Sequence, residues 1–176
     1  MELRDRNGLT EQEFLREYQT KTYPRPYLTA DLVLFSPEPL SVLLIRRQGH
    51  PCLGRWALPG GFVEPTESAF DAALRELSEE TNVDARAFSI REIGLFSKPG
   101  RDPRGWVVTD AFTATVHRET IRPQAGDDAA DAQWFAVTRR SDGGLLLKSD
   151  ALTLTEADLA FDHAEIIRRA LAMLQA

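Results

Sequence analysis

The 176-residue chain has one cysteine, Cys52, and three histidines, and it lacks any long apolar run. A single cysteine excludes an intrachain disulfide and a thiolate metal cluster, so a reducing compartment is expected. Stretches of roughly 18 consecutive apolar residues, which a transmembrane helix needs, do not occur. The charged N-terminus "MELRDRNGLTEQEF" also lacks the apolar core of a signal peptide. These absences predict a cytoplasmic protein with no membrane partner.

Basic residues are also scarce, because 21 Lys and Arg stand against 27 Asp and Glu and the net charge is -6. A generic nucleic-acid binder needs a basic face to neutralise phosphates, so we expect no nucleic-acid partner. An acidic protein can still bind phosphates through a metal ion. The composition, 43% hydrophobic and 27% charged, is globular, and the length predicts a single domain over residues 1–176.

Hydrophobic periodicity predicts more strands than helices. Runs of strand length are "TADLVLF", "SVLLIRR", "FSIREIGLFS", "WVVTDAFTATV" and "QWFAV". The first two runs are separated by a short turn and should be neighbours, and a hairpin should follow the last. Thr10 and Glu13 form a capping-box pattern in a helical arm over residues 1–24, and Asp162 and Glu165 form another before a terminal helix. The terminal helix and the acidic helix described next can each cover one face of a sheet, so we predict an α/β/α sandwich with a mixed central sheet.

The stretch "GGFVEPTESAFDAALRELSEETNV" is acidic and largely helical in pattern. At about 100° per residue, Glu79 and Glu80 fall within about 60° of Glu76, so the carboxylates share one stripe beside the apolar stripe. Like charges at this spacing repel, and partial burial makes the repulsion costly unless a cation compensates it. Carboxylate oxygens without cysteine or clustered histidine favour magnesium or manganese over zinc. A solvated helix with surplus glutamate is the alternative.

The surroundings of this helix favour the metal. Gly60 and Gly61 permit a tight turn and close backbone approach, and Arg75 supplies a cation just before the acids. A set of residues at fixed spacing resembles the Nudix box. The set comprises Gly61, Glu67, Arg75, Glu76, Leu77, Glu79, Glu80 and Val83. Asn82 stands where the box has glycine. Because Asn tolerates the left-handed conformation after a helix end, we expect this departure to be mild.

This resemblance implies the Nudix fold and hydrolysis of the pyrophosphate in a nucleoside diphosphate linked to another group. It also implies Mg2+ or Mn2+ as cofactor, bound by Gly60, Glu76, Glu79 and Glu80. The three glutamates would be the catalytic residues, and Gly60 would contribute its backbone carbonyl. Gly61 would be structural, and Glu67 and Arg75 would form a charge pair that holds the loop against the helix.

Other segments, "YPRPYLTADLVLF", "GRDPRGWVVTDAF", "GDDAADAQWF" and "LAFDHAEII", resemble the ADP-ribose-directed Nudix group. That group includes ADP-ribose pyrophosphatases, the Nudix half of bifunctional nicotinamide-nucleotide adenylyltransferases, and Nudix-like repressors of NAD synthesis genes. It implies a small-molecule nucleotide substrate, with hydrolysis of ADP-ribose to AMP and ribose 5-phosphate, and leaves a homodimer open. A regulator that senses ADP-ribose without cleaving it and a nucleoside triphosphate pyrophosphohydrolase are alternatives. The complete glutamate set favours catalysis.

Polar residues outside the box have two interpretations each. Arg101 and Arg104 lie in a turn-rich loop, where they either bind substrate phosphates or are ordinary surface arginines. Asp127 and Asp128 either position or deprotonate water as catalytic residues, or cap their loop structurally. His163 is expected to be an ordinary residue of the first turn of the terminal helix.

Overall fold

The computed structural model describes residues 2–126 and 129–174. Within them the strands are β1 Tyr27–Pro37, β2 Leu40–Arg47, β3 Trp56–Ala57, β4 Gly60–Phe62, β5 Ile90–Phe96, β6 Val107–Thr115, β7 Ala129–Arg139, β8 Leu145–Lys148 and β9 Thr153–Thr155. The helices are α1 Glu11–Gln19, α2 Ala69–Thr81 and α3 His163–Met173, and two short 3-10 helices span Arg118–Thr120 and Glu156–Asp158.

All these strands join one mixed sheet in the order β5-β6-β1-β2-β7-β8-β9, with β3 beside β2 and β4 beside β1. β1 and β6 run parallel, and the other pairs are antiparallel. The predicted neighbours β1 and β2 and the predicted hairpin, β7 with β8, are confirmed. β7 is longer than the run "QWFAV" because its first part pairs with β2 and its last part with β8.

Alternate side chains of β1 enter two separate cores. Leu32 and Leu34 belong to the core that contains α2, whereas Val33 and Phe35 belong to the core that contains α3. Because both faces of this strand are covered, its sequence is a continuous apolar run and does not alternate. The predicted α/β/α sandwich with a mixed central sheet is confirmed.

One predicted capping box is present and the other is wrong. The Thr10 hydroxyl accepts the Glu13 N–H at 3.3 Å, and the Glu13 carboxylate accepts the Thr10 N–H at 2.8 Å. Asp162 precedes α3 but makes no capping hydrogen bond with its side chain, and the predicted partner Glu165 donates its N–H to the Asp162 carbonyl. Both carboxylate oxygens of Asp162 accept from Arg101, so a guanidinium has replaced the helix end as the partner.

The predicted N-terminal arm contains α1, of which no residue is buried. The Tyr18 ring stacks on Phe14 at 6.0 Å and on Tyr23 at 5.4 Å between ring centroids. The organisation of residues 1–176 as one domain stays a prediction. Within the described ranges, every helix is too short or too polar to cross a bilayer.

Candidate active site

Local hydrogen bonds define both ends of α2, the acidic helix. The Ser68 hydroxyl accepts the Asp71 N–H at 3.1 Å at the start of the helix. At its other end Asn82 has φ 56° and ψ 28°, and its N–H donates to the Ser78 carbonyl at 2.8 Å. Asn82 therefore has the left-handed conformation that the sequence predicts, which explains why it can stand in place of glycine.

The guanidinium of Arg75 binds three glutamates. One of them lies in the loop before α2 and two lie on the helix. Arg75 Nε and Nη2 donate to the Glu67 carboxylate at 3.1 and 2.7 Å. Its Nη1 donates to Glu76 at 2.8 Å and to Glu79 at 2.9 Å. The ion pair between Glu67 and Arg75 thus joins the loop to the helix. Because three carboxylates share this one cation, the cluster keeps a surplus of negative charge.

Glu80 is the most buried acid of the stripe, with 5% of the residue exposed. Its Oε2 accepts the Gly60 N–H at 2.9 Å. Burial raises the pKa of Glu80 to about 8; the Gly60 N–H opposes the rise, and the charges of Glu76 and Asp31 add to it. Burial also raises the pKa of Glu76, against the opposing effect of Arg75. The acids at the core rim therefore lack full compensation by the protein itself.

The two glycines before α2 stand where the surrounding atoms leave no room for a side chain. A Cβ built on Gly60 would lie 2.5 Å from Asp31 Oδ1, and a Cβ on Gly61 would overlap the Glu76 carboxylate. A Cβ on Gly60 would also clash with the Ala30 carbonyl oxygen. Gly61 therefore lets the backbone lie directly against Glu76 of the acidic stripe, and Gly60 lets it lie against β1.

A similar close approach brings the loop before β7 against the end of α2. A Cβ on Gly126 would lie 2.5 Å from the Glu79 carbonyl oxygen, and the Gly126 N–H donates to the Glu80 carbonyl at 3.1 Å. The predicted catalytic pair Asp127 and Asp128 follows directly and lies outside the described residues.

A buried polar cluster near the stripe is absent from the sequence predictions. Asp31 of β1 accepts the Thr109 hydroxyl at 2.5 Å, and its Oδ1 lies 3.8 Å from His163 Nε2. His163 Nδ1 accepts the Leu58 N–H at 2.8 Å, so its proton is on Nε2 and the imidazole is neutral. Burial lowers the pKa of His163. His163 does begin α3 as predicted, but it is buried. The available signal was a carboxylate inside the apolar run "TADLVLF".

The two loop arginines have different environments. The Arg101 side chain is 4% exposed, and its Nε and Nη2 donate to both oxygens of Asp162 at 2.9 and 2.6 Å. Arg101 is therefore not an ordinary surface arginine: it binds Asp162 through two nitrogen atoms and also lines the pocket described below. Arg104 donates from Nε and Nη2 to Asp102, and its guanidinium lies 4.7 Å over the Phe62 ring. It is partly exposed, so it remains available to a ligand.

These elements meet at a narrow cavity of about 50 Å³, which we call the central pocket. Its lining includes Asp31, Arg47, Gly60, Gly61, Arg104 and His163. The two glycines connect the pocket to the acidic stripe, since each lies against a glutamate. Arg47, which the sequence predictions lack, lies 5.2 Å from the Phe161 ring. Guanidinium groups and carboxylates thus border one pocket, an arrangement suited to a metal-bound diphosphate.

The stripe has the donor chemistry that Mg2+ or Mn2+ prefers, namely carboxylate oxygens. The carboxyl groups do not surround one point, because Glu76 and Glu79 bind Arg75 while Glu80 binds Gly60. Among residues 2–126 and 129–174, no group of three or more His, Cys, Asp or Glu side chains is placed to hold a metal ion. The donor set and its surplus charge fit the predicted cofactor, provided that Glu76 and Glu79 exchange Arg75 for the cation.

The NUDIX domain profile matches residues 26–148, and the chain therefore belongs to the Nudix family. The described part of the chain has the Nudix fold, and the box begins at Gly61, which lines the central pocket, and continues through helix α2.

Three similar proteins indicate which group of the Nudix family the chain resembles. The ADPR responsive transcriptional repressor NtrR of Acinetobacter baylyi is 34% identical over 172 residues, which are 96% of this chain and 62% of that protein. The ADP-ribose pyrophosphatase of Methanocaldococcus jannaschii is 35% identical over 154 residues, 88% of this chain and 77% of the relative. The NUDIX domain of Shewanella oneidensis NrtR complexed with ADP ribose has a TM-score of 0.73 and 33% identity, and the match covers 94% of this chain and 99% of that one. These relatives confirm the resemblance to ADP-ribose-directed Nudix proteins.

Proposed function

We propose that this Nudix protein is a metal-dependent hydrolase that cleaves the pyrophosphate of ADP-ribose to AMP and ribose 5-phosphate. The observation that carries the proposal is the incompletely compensated acidic stripe, in which buried Glu80 accepts the Gly60 N–H, beside a pocket that Arg47 and Arg104 line. The pyrophosphatase relative supports the substrate class.

Glu76, Glu79, Glu80 and the Gly60 carbonyl are the residues that would hold Mg2+ or Mn2+. When bound, the cation supplies charge neutralisation of the pyrophosphate and lowers the pKa of a coordinated water. Since Glu67 has two contacts with Arg75, it can keep that guanidinium in place while Glu76 and Glu79 bind the cation. Arg75 is thus the residue that keeps loop and helix aligned.

The chain's own cations would orient the diphosphate. Arg104 directs Nε and Nη2 to Asp102, which leaves Nη1 without a hydrogen bond among the described contacts and available for a phosphate oxygen. Arg47 donates from Nε to the Pro51 carbonyl at 2.9 Å and lines the same pocket. Arg101, predicted from the sequence for the same role, also lines this pocket and binds Asp162, and it stays proposed as a substrate-binding residue. Asp127 and Asp128 stay proposed as groups that position or deprotonate water.

Product analysis on a substrate panel tests this function. At equal concentrations and with added Mg2+ or Mn2+, we expect ADP-ribose to be hydrolysed faster than nucleoside triphosphates or dinucleoside polyphosphates, with AMP and ribose 5-phosphate as products. Dialysis against chelator should abolish turnover. Full activity without metal, or a preference for a triphosphate, would contradict the proposal.

An ADP-ribose sensor without activity is the second candidate, because the A. baylyi relative is a transcriptional repressor responsive to ADPR. Tight binding of ADP-ribose with no turnover in Mg2+ or Mn2+ would establish this alternative. The expectations of no nucleic-acid partner and a cytoplasmic location stay predictions.

A further inference from the structure

The loop 98–106 borders a second cavity, of about 610 Å³, which we call the Trp106 cleft. Its lining includes Lys98, Pro99, Asp102, Pro103, Trp106 and Val107. Asp102 also lines the central pocket, so the two cavities adjoin at this residue. The central pocket is polar and narrow, whereas the cleft is wide and offers proline, valine and indole surfaces.

Trp106 presents a free aromatic face in this cleft, since 56% of the residue is exposed. Two other rings near the pocket are already covered: Arg104 lies 4.7 Å over Phe62, and Arg47 lies 5.2 Å from Phe161. Across the described residues, Trp106 takes part in none of the ring-ring or cation-ring contacts found in the structure. Trp106 therefore offers an uncovered stacking surface next to the pocket.

Two contacts hold the loop that carries Trp106 against the rest of the protein. The Arg101 side chain is buried against Asp162, and within the loop Asp102 pairs with Arg104. The Trp106 carbonyl accepts the Tyr27 N–H at 2.9 Å, which ties the end of the loop to β1. A planar group that enters the cleft thus meets a preformed surface and loses less free energy to loop ordering.

We propose that the Trp106 cleft binds the base of the nucleotide and that Trp106 is the stacking residue that determines specificity for nucleotides over simple sugar phosphates. The inference rests on the proposed function, which places the diphosphate at Arg47 and Arg104. Arg104 and Trp106 are two residues apart, so their Cα atoms lie within about 7.6 Å of each other. Phosphate and base of one nucleotide can therefore occupy the adjoining cavities together.

Equilibrium binding in chelator tests the cleft directly, with calorimetry of AMP and of ribose 5-phosphate, which lacks a base. We expect Trp106→Ala to weaken AMP binding about tenfold, since stacking on an aromatic ring contributes at this level. Trp106→Phe should bind AMP close to the wild type, because it keeps a ring. Ribose 5-phosphate should bind all variants equally. Tyr23→Ala, which removes an exposed aromatic of the N-terminal arm, should bind AMP as the wild type does.

Steady-state kinetics gives an independent measurement. For ADP-ribose we expect Trp106→Ala to raise KM about tenfold and to change kcat much less, since stacking on the base acts in ground state and transition state alike. AMP binding that is undetectable in the wild type, unchanged in Trp106→Ala, or lost together with ribose 5-phosphate binding would overturn the inference. Failure of the wild type to hydrolyse ADP-ribose while AMP binding still depends on Trp106 would remove the proposed function and leave the base site standing.

Discussion

Arg75 and Arg101 form ion pairs beside the two helices that cover opposite faces of the sheet, and their charge balance differs. Arg75 is shared by Glu67, Glu76 and Glu79. Arg101 has a single carboxylate partner, Asp162, which it binds with two nitrogen atoms.

This difference in charge balance suggests which of the two clusters binds a ligand. One guanidinium cannot neutralise three carboxylates, so the α2 cluster keeps a surplus of negative charge that would favour an added cation. A bidentate pair with matched charge and buried donors has no such need, and its removal would instead leave an unpaired buried charge. We therefore propose metal binding for the first group and a stabilising contribution for the second.

The largest effect is expected when the Arg75 cluster, in which the charges are unbalanced, is disrupted. Glu79→Gln removes one proposed metal ligand, and we expect kcat for ADP-ribose to fall at least about 100-fold, since the metal contributes several kcal/mol to the transition state. Thermal melts should stay close to the wild type because a repelling charge has been removed. Glu64→Gln neutralises an exposed acid of the preceding loop and serves as the matched control. Activity near wild type in Glu79→Gln would refute the ligand assignment.

The next largest effect is expected when the charge-balanced pair of Arg101 and Asp162 is disrupted. Arg101→Met leaves Asp162 without its guanidinium, and we expect a loss of about 3 kcal/mol in the free energy of unfolding, or a melting temperature lower by about 6–12 °C. The double variant Arg101→Met/Asp162→Leu should recover part of this loss, because no unpaired charge remains.

Arg118→Met provides the control for that experiment, since Arg118 makes an exposed ion pair with Glu119 at 3.6 Å. It should change stability by less than about 1 kcal/mol. Equal melting temperatures for the Arg101 and Arg118 variants would contradict a buried structural role for Arg101.

A further prediction concerns the pH dependence of stability. The folded-state pKa of Glu80 is raised to about 8 from 4.5, so the unfolded chain ionises first and stability falls as pH rises between these values. In chelator, Glu80→Gln should remove this fall and raise the melting temperature at pH 9 by about 2–4 °C for each kcal/mol of relieved charge burial. At pH 4 the two proteins should melt alike. A pH profile of the variant parallel to that of the wild type would disprove the assignment to Glu80.

The smallest effect is expected at the end of α2. Asn82→Gly restores the residue of the Nudix box at a left-handed position, and the relief of backbone strain is offset by the greater freedom of glycine in the unfolded chain. We expect a change within about 1 kcal/mol and unchanged activity. A melt lower by several degrees would show that the Asn82 side chain has another role.

Short-range patterns in the sequence predicted much of the molecule. Glu76, Glu79 and Glu80 share a stripe because the helix period places residues three and four apart on one side. The apolar run of β1 predicted a strand, and Asn82 predicted a left-handed helix end, because both depend on neighbouring residues alone.

Tertiary structure decided which of the polar groups meet. Arg101 and Asp162 are 61 residues apart, and Leu58 and His163 are 105 residues apart, so their contacts depend on where sheet and helices return the chain. Neighbouring residues favoured a capping box at Asp162, but Asp162 binds the buried guanidinium of Arg101 instead. Unpaired charge in the interior is more costly than an uncapped helix end. The sequence alone thus determined the family, the fold and the acidic stripe, while the tertiary structure determined the pocket that Asp31, Arg47 and His163 complete.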